Sequence, residues 1–145
     1  MSEIWIRIIL LVYLSICCYT DIKERYISLI ASVLCMLGQF IILMCGGGLY
    51  GFGIFGILPG CIFLLTARIH PEIGTGDALM IVTLGFGLGM KILPAIYISL
   101  LLTFIYGGIH YCLYKKKYLQ GSDGPLEIAF APFCLAGFLV MIIAD

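Results

Sequence analysis

The sequence predicts an all-α membrane protein, a polytopic bundle of about six transmembrane helices. Hydrophobic residues make up 63% of the 145 positions, charged residues make up 11%, and the mean hydropathy is +1.17. Soluble domains contain about 25% charged residues, and a soluble fold this apolar would lack the polar groups needed to cover its surface. We therefore expect residues 1–145 to form a single domain in the lipid bilayer.

Six apolar segments account for the predicted helices. In chain order they are Ile4–Thr20, Ile27–Cys45, Leu49–Thr66, Ala78–Leu93, Pro94–Tyr114 and Ile128–Ala144. Most of them approach the roughly 20 residues that a spanning helix needs. The fourth segment is short and would lengthen by absorbing Asp77, whereas Pro94 suits the first turn of the fifth helix.

Glycines recur at a spacing that favours close helix packing. The pairs are Gly47 with Gly51, Gly56 with Gly60, and Gly85 with Gly89. Small residues four positions apart on a helix let a neighbouring backbone approach closely. We interpret these glycines as packing positions.

The basic residues predict how the chain crosses the membrane. Six of the eight fall in three alternate connections, and they are Lys23, Arg25, Arg68, Lys115, Lys116 and Lys117. Because cytoplasmic loops carry an excess of Lys and Arg, these connections should face the cytoplasm and both termini the outside of the cytoplasmic membrane. The formal net charge is +0, so no overall field would attract nucleic acid, which we do not expect as a partner.

Cysteine and histidine do not form a recognisable metal motif. The seven cysteines lie in or beside apolar runs, and none makes a C-x-x-C pair of the kind found in zinc sites. His70 adjoins Pro71 in a loop, and His110 lies late in an apolar segment. We expect neither a metal nor another cofactor.

Two aspartates at the ends of apolar segments are the main candidates for chemistry. Asp21 follows the first segment directly, and Asp77 precedes the fourth. In the predicted topology both lie at the same depth, at cytoplasmic helix ends. Two facing carboxyls suit peptide hydrolysis, in which the ionised one takes a proton from water and the protonated one hydrogen-bonds the scissile carbonyl. Like charges so close resist joint ionisation, so the pair would share one proton.

Simpler roles for the two aspartates stay open. Asp77 would suit the N-cap of the fourth helix, and Asp21 could be a solvated loop residue paired with Lys23 or Arg25. The sequence Gly74-Thr75-Gly76-Asp77, a G-x-G-D motif that opens a helix, favours a functional site. Glycines at such a position permit close approach of a substrate backbone.

These residues resemble the type IV prepilin peptidase family, the G-x-G-D intramembrane aspartic proteases. Three stretches carry the resemblance, in the family's order and across nearly the whole chain. They are Asp21–Ser28 with a basic residue at Lys23, Gly74–Asp77 continuing into Leu84–Gly89, and Ile128–Gly137 with its Pro-Phe pair. The resemblance implies a membrane endopeptidase.

The resemblance also implies roles for individual residues. Asp21 and Asp77 would be the catalytic pair, acting on the short basic leader of prepilin-like membrane proteins. The residues that support the motifs would be Gly74, Gly76 and Lys23. Glu72, beside the second motif, is a candidate for attracting the basic leader. The family implies no metal for this cleavage.

The chain departs from the family pattern in several places. Leu79 stands where members often have Lys, and Ser28 stands where many have proline. The chain also lacks the four-cysteine zinc loop and extra N-terminal region of the longer members. It is therefore similar to the short form, without the N-methyltransferase region.

Two other function classes stay open. The first is a proton-coupled transporter or channel subunit, which would carry acidic residues through the depth of the membrane. Here the acidic residues lie at segment ends, which disfavours that class. The second is a catalytically inactive assembly subunit of a pilus or secretion system, which the sequence does not separate from a peptidase.

Overall fold

The computed structural model of the chain describes residues 2–45, 52–70, 74–119 and 128–144. Within these residues all regular structure is helical, so the all-α prediction is confirmed there. The helices are α1 (Ser2–Glu24), α2 (Leu29–Cys45), α3 (Phe52–Ile69), α4 (Thr75–Leu88), α5 (Ile92–Leu119) and α6 (Ala131–Ala144). A short 3-10 turn at Gly89–Lys91 joins α4 to α5.

The first helix is longer than its apolar segment. The first apolar segment ends at Thr20, and this predicted helix end is wrong because α1 continues through Glu24. The helix ends where Arg25 adopts a left-handed φ of 51°, a conformation that commonly terminates helices. Asp21 therefore lies in the last turn of α1, where its carbonyl accepts the Arg25 N–H at 3.0 Å.

The fourth helix begins before its apolar segment. Its N-cap is Gly74, and Asp77 is the third residue of α4. The helix thus absorbs Asp77, as its short apolar segment suggested, but the interpretation of Asp77 as the N-cap is wrong. Pro94 lies in the first turn of α5, as expected.

Helix α4 forms the centre of the bundle. Most of its residues from Ala78 onward are buried, and it packs against α1, α2 and α3. Gly56 of α3 faces Gly85 of α4 so closely that a Cβ on either glycine would collide with backbone atoms of the other helix. A Cβ on Gly60 would likewise lie 2.6 Å from the backbone nitrogen of Val82. The predicted packing role of the glycines is confirmed at Gly56, Gly60 and Gly85, while Gly47 and Gly51 lie outside the described residues.

Helix α2 turns its polar residues inward. Its buried residues are Ser32, Cys35 and Gln39. The Ser32 hydroxyl lies 2.7 Å from the hydroxyl of Tyr13 in α1. The Gln39 amide nitrogen donates to the Cys35 sulfur at 3.1 Å, whereas its amide oxygen is buried without a hydrogen-bond partner among the described groups.

The outer surface of the described bundle is apolar. Large side chains such as Phe104 and Ile143 are 81% and 84% exposed, while polar Thr83 and Ser99 are enclosed. This distribution reverses the usual order of a soluble protein, in which polar residues stay outside.

Two stretches of the described chain are long and apolar enough to cross a membrane. They are Glu3–Glu24, of 22 residues, and Thr75–Leu113, of 39 residues, which runs through the 3-10 turn into α5. This criterion uses length and composition alone. Leu29–Cys45, Phe55–Ile69 and Ala131–Ala144 are shorter apolar helical segments.

Candidate active site

The Asp21 side chain is anchored to a helix from the far end of the chain. It is only 8% exposed, and its Oδ2 accepts a hydrogen bond of 2.9 Å from the backbone N–H of Ala131. The alternative of a solvated loop residue is therefore wrong. Asp21 is a buried carboxyl group whose position depends on α6.

The start of α6 explains why this N–H is available. The carbonyl of Phe130 accepts the first hydrogen bonds of the helix, from Phe133 at 3.0 Å and Cys134 at 3.1 Å, which makes Ala131 the first helical residue. The first N–H groups of a helix have no partner inside the helix and need an acceptor. Asp21 supplies that acceptor from α1.

Asp77 lies in a more open environment. It is half-buried, and its backbone N–H donates to the Gly74 carbonyl at 3.2 Å. Gly74 is exposed, and a Cβ there would lie 3.0 Å from Asp77 Oδ2. The first glycine of the G-x-G-D motif therefore keeps the space beside the carboxyl group clear.

The second glycine of the motif lets the connection after α1 approach α4. Ile27, in the non-helical stretch between α1 and α2, is buried against Gly76. A Cβ on Gly76 would lie 3.0 Å from the Ile27 Cβ. Ser28 follows as the residue that caps α2, because its hydroxyl accepts the Ala31 N–H at 3.4 Å.

These contacts bring the two acids together at one end of the bundle. The carboxyl groups of Asp21 and Asp77 interact electrostatically. Both carboxyl groups also interact electrostatically with the buried thiol of Cys134 in α6. Asp21 has the same kind of interaction with Cys17, one turn earlier in α1. The end of α1, the start of α4 and the first turn of α6 therefore form one acidic site, in which Asp21 is buried and Asp77 is half-buried.

No known family model, curated protein or solved structure matches the chain. The geometry of the acidic site and the chemistry of its residues therefore carry the functional argument.

Lys23, the basic residue of the first motif, is not brought to the acids. Lys23 is exposed, and its Nζ lies 5.7 Å from the ring centroid of Tyr19 on its own helix. It follows Asp21 by two positions, and helix residues two apart do not face each other. Glu72 lies outside the described residues.

A surface cavity of about 320 Å³ adjoins the Asp21 anchor. Its lining residues are Ile22, Tyr106, His110, Ile128, Ala129, Pro132 and Phe133. Ala129 and Pro132 flank Ala131, so the cavity borders the peptide that holds Asp21. The Tyr106 and Phe133 rings, 5.4 Å apart between centroids, form an aromatic wall.

Within the described residues, no group of three or more His, Cys, Asp or Glu side chains is placed to hold a metal ion. All seven cysteines are free thiols, and Cys17, Cys35 and Cys134 are buried. Of the other four, Cys18 is half-buried and Cys45, Cys61 and Cys112 are exposed.

Sequence inspection missed Ala131, which acts through its backbone. An alanine side chain does not indicate a functional role, but the position of Ala131 at the start of a helix does. Ala131 precedes Pro132 in the last apolar segment, and the predicted topology put the start of that segment on the same membrane face as Asp21. The first N–H groups of a helix have no acceptor inside the helix. A helix that starts at the face carrying Asp21 could therefore have been predicted to donate an N–H to that carboxyl group.

Proposed function

We propose that this chain is a membrane-embedded aspartic endopeptidase that removes the leader peptide from prepilin-like precursors at the cytoplasmic face of the membrane. The observation that carries the proposal is the placement of Asp21 and Asp77 at one end of the bundle. Asp21 lies in the last turn of α1 and is hydrogen-bonded to the first residue of α6, Asp77 lies in the first turn of α4, and the two carboxyl groups interact electrostatically. The resemblance of the surrounding motifs to prepilin peptidases gives the substrate class.

The apolar outside of the bundle supports insertion in a bilayer. Exposed Ile, Leu and Phe side chains cover the described helices, and polar Ser32, Gln39 and Thr83 are enclosed. A bilayer removes the cost of exposing apolar surface and penalises unpaired polar groups. We propose that all six helices cross or enter the membrane as one multi-pass domain.

The charged residues support the proposed orientation. Lys23 and Arg68 lie in the last turns of α1 and α3, which is the end of the bundle that carries the acids. Basic residues favour the cytoplasmic side. This orientation puts the acids at the cytoplasmic face and the start of α1 outside.

The chemistry follows from two carboxyls that share one proton. The ionised carboxylate removes a proton from water as the water oxygen bonds to the scissile carbonyl carbon, and the protonated carboxyl hydrogen-bonds the carbonyl oxygen. Collapse of the tetrahedral species breaks the C–N bond, and the leaving nitrogen takes a proton from the pair. One water is consumed, the pair again holds one proton, and the products are a carboxylic acid and an amine, which exchange a proton in water to give a carboxylate and an ammonium group.

The test is co-expression with a prepilin-like precursor, with leader removal followed as a gel shift. We expect wild type to cleave the precursor, and Asp21→Asn and Asp77→Asn to leave it intact because an amide cannot act as the ionised base. Asparagine at position 21 keeps an oxygen that can accept the Ala131 N–H, so the loss would report chemistry and not a lost anchor.

Glu3→Gln is the matched control for these variants. Glu3 is an exposed carboxylate at the opposite end of α1, 4.0 Å from Arg7, and its amide variant should cleave as wild type does. Full cleavage by either asparagine variant would remove the two-aspartate mechanism. No cleavage by wild type, tested with several precursors, would favour the inactive assembly subunit.

Orientation can be tested with single cysteines in a chain whose own cysteines are replaced by serine. Glu3→Cys should react with a membrane-impermeant thiol reagent added outside intact cells, and Glu24→Cys should react only after the cells are opened. The opposite pattern would reverse the topology.

A further inference from the structure

We propose that the N–H of Ala131 fixes Asp21 as the ionised member of the acidic pair and leaves the shared proton on Asp77. This inference deepens the proposed peptidase function and rests on it for its catalytic meaning. It assigns Asp21 as the base that activates water and Asp77 as the acid that hydrogen-bonds the scissile carbonyl. Ala131 is a positioning residue that acts through Asp21.

The hydrogen bond from Ala131 distinguishes the two carboxyls. Asp21 Oδ2 accepts this N–H at 2.9 Å in a buried setting. A hydrogen bond to an ionised oxygen is about twice as strong as one between neutral groups, and the N-terminus of a helix carries a partial positive charge. Both effects stabilise negative charge on Asp21.

Asp77 lies in the first turn of α4 and has the same dipole effect, so the hydrogen bond from Ala131 is what distinguishes Asp21. The N–H groups of Asp77 and Ala78 are directed at the Gly74 carbonyl, at 3.2 and 3.4 Å. Asp77 is also the partner that borders open space beside Gly74, where a substrate carbonyl can reach it. A protonated Asp77 would meet that carbonyl as a donor.

The described groups that interact electrostatically with Asp21 include the thiols of Cys17 and Cys18 on its own helix, the carboxyl of Asp77 on α4 and the thiol of Cys134 on α6. None of these four groups favours the opposite assignment. The deeper burial of Asp21 opposes ionisation, so the Ala131 hydrogen bond has to outweigh it. Removing that N–H is therefore the decisive perturbation.

Carbon-13 NMR of the aspartate carboxyl groups tests the assignment without any need for proteolysis. The full chain has four aspartates, and Asp123→Asn with Asp145→Asn leaves only the pair. At the pH where the pair holds one proton, we expect the Asp21 signal at the carboxylate position and the Asp77 signal at the carboxylic acid position. The reverse pattern, or equal protonation of both, would overturn the proposal.

Ala131→Pro removes the N–H at a helix position where proline is tolerated. We expect the proton to redistribute between the two signals in this variant, and the acidic limb of the cleavage rate to move up by about one pH unit, a tenfold loss below the limb. Ala131→Gly keeps the N–H and should keep the wild-type signals. Unchanged signals in folded Ala131→Pro, or a uniform loss of rate without a shifted limb, would contradict the proposal.

The NMR titration tests where the proton lies, and the cleavage assay tests the peptidase function. If Ala131→Pro does not fold, the wild-type NMR titration still decides where the proton lies. If wild type cleaves no precursor but the titration gives the expected pattern, the peptidase proposal fails while the assignment of the proton stands.

Discussion

Glycines lie at both ends of α4, but they meet different kinds of neighbour. At the N-terminal end, Gly74 and Gly76 lie next to side-chain atoms, the Asp77 carboxylate and the Ile27 Cβ, each 3.0 Å from where a Cβ would stand. Near the C-terminal end, Gly85 lies against the backbone of Gly56 in α3. The Asp77 carboxyl group can turn away from a new methyl group and Ile27 can shift by a few tenths of an ångström, whereas the two packed helix backbones at Gly85 have to separate.

Within α4, this difference separates the glycines beside the candidate active site from the glycine that packs α4 against α3. Near the C-terminal end, Gly85 allows α3 and α4 to pack backbone to backbone, as small residues do in membrane bundles. The N-terminal glycines leave room beside a carboxyl group and for the connection that follows α1. Methyl groups added along α4 should therefore cost stability at one end and activity at the other.

The largest effect is expected for Gly85→Ala. Its Cβ would collide with the Gly56 carbonyl of α3, and we expect a loss of at least about 3 kcal/mol because the two backbones must separate. The measurement is the temperature at which the buried thiols of Cys17 and Cys134 become reactive in detergent, in a chain without the exposed cysteines. Gly108→Ala is the control, because among the described residues nothing beyond its own stretch of α5 lies within 4 Å of the new Cβ, and it should be as stable as wild type or more so.

A smaller loss is expected for Gly87→Ala. The new Cβ would lie 2.7 Å from the unpartnered Gln39 amide oxygen, so we expect a cost of about 1–2 kcal/mol in the same thiol assay. Shortening the neighbour in Gln39→Ala should recover part of that cost in the double variant, because the two side chains share one space. Strictly additive losses would show that Gly87 and Gln39 do not meet.

At the other end of the helix, Gly76→Ala should affect stability and activity together. The neighbouring Ile27 Cβ at 3.0 Å has to move by a few tenths of an ångström, with a cost of about 1 kcal/mol. Because this contact holds the connection after α1 near Asp77, we expect precursor cleavage to fall roughly tenfold. Wild-type cleavage with normal stability would show that the Ile27 contact does not position the acids.

The smallest change in stability is expected for Gly74→Ala. Gly74 has φ −62° and ψ 122°, which alanine adopts readily, so the unfolding free energy should stay within about 0.5 kcal/mol. The new methyl group, 3.0 Å from Asp77 Oδ2, should turn the carboxyl group and slow cleavage several-fold. A stable variant with wild-type kinetics would remove Gly74 from the functional part of the motif.

Hydropathy predicted the order of the helices but not where they end. Apolar composition marks where a chain favours lipid, whereas a helix ends where its backbone hydrogen bonding stops. That is why α1 runs past Thr20 to Glu24 and stops at the left-handed Arg25. For the same reason Asp77 falls inside α4, and Gly74 is its N-cap.

The sequence predicted both members of the acidic pair but not what holds them. Motif and topology pointed to Asp21 and Asp77, because each acid adjoins an apolar segment. The anchor of Asp21 is a backbone N–H at Ala131, 110 positions away, and no side-chain pattern encodes which helices are neighbours. The sequence likewise did not predict that Gln39 faces the core, because a single amide in an apolar segment does not show which face of the helix is buried.

The hydrogen bond between Asp21 and Ala131 also has a consequence for synthesis of the protein. A ribosome makes both acids long before it makes α6, so a nascent chain carries the pair without its anchor. In the proposed peptidase, a chain that has not yet inserted α6 would hold Asp21 without the hydrogen bond that favours its ionised form, so full activity would be reached only when the last helix is in place.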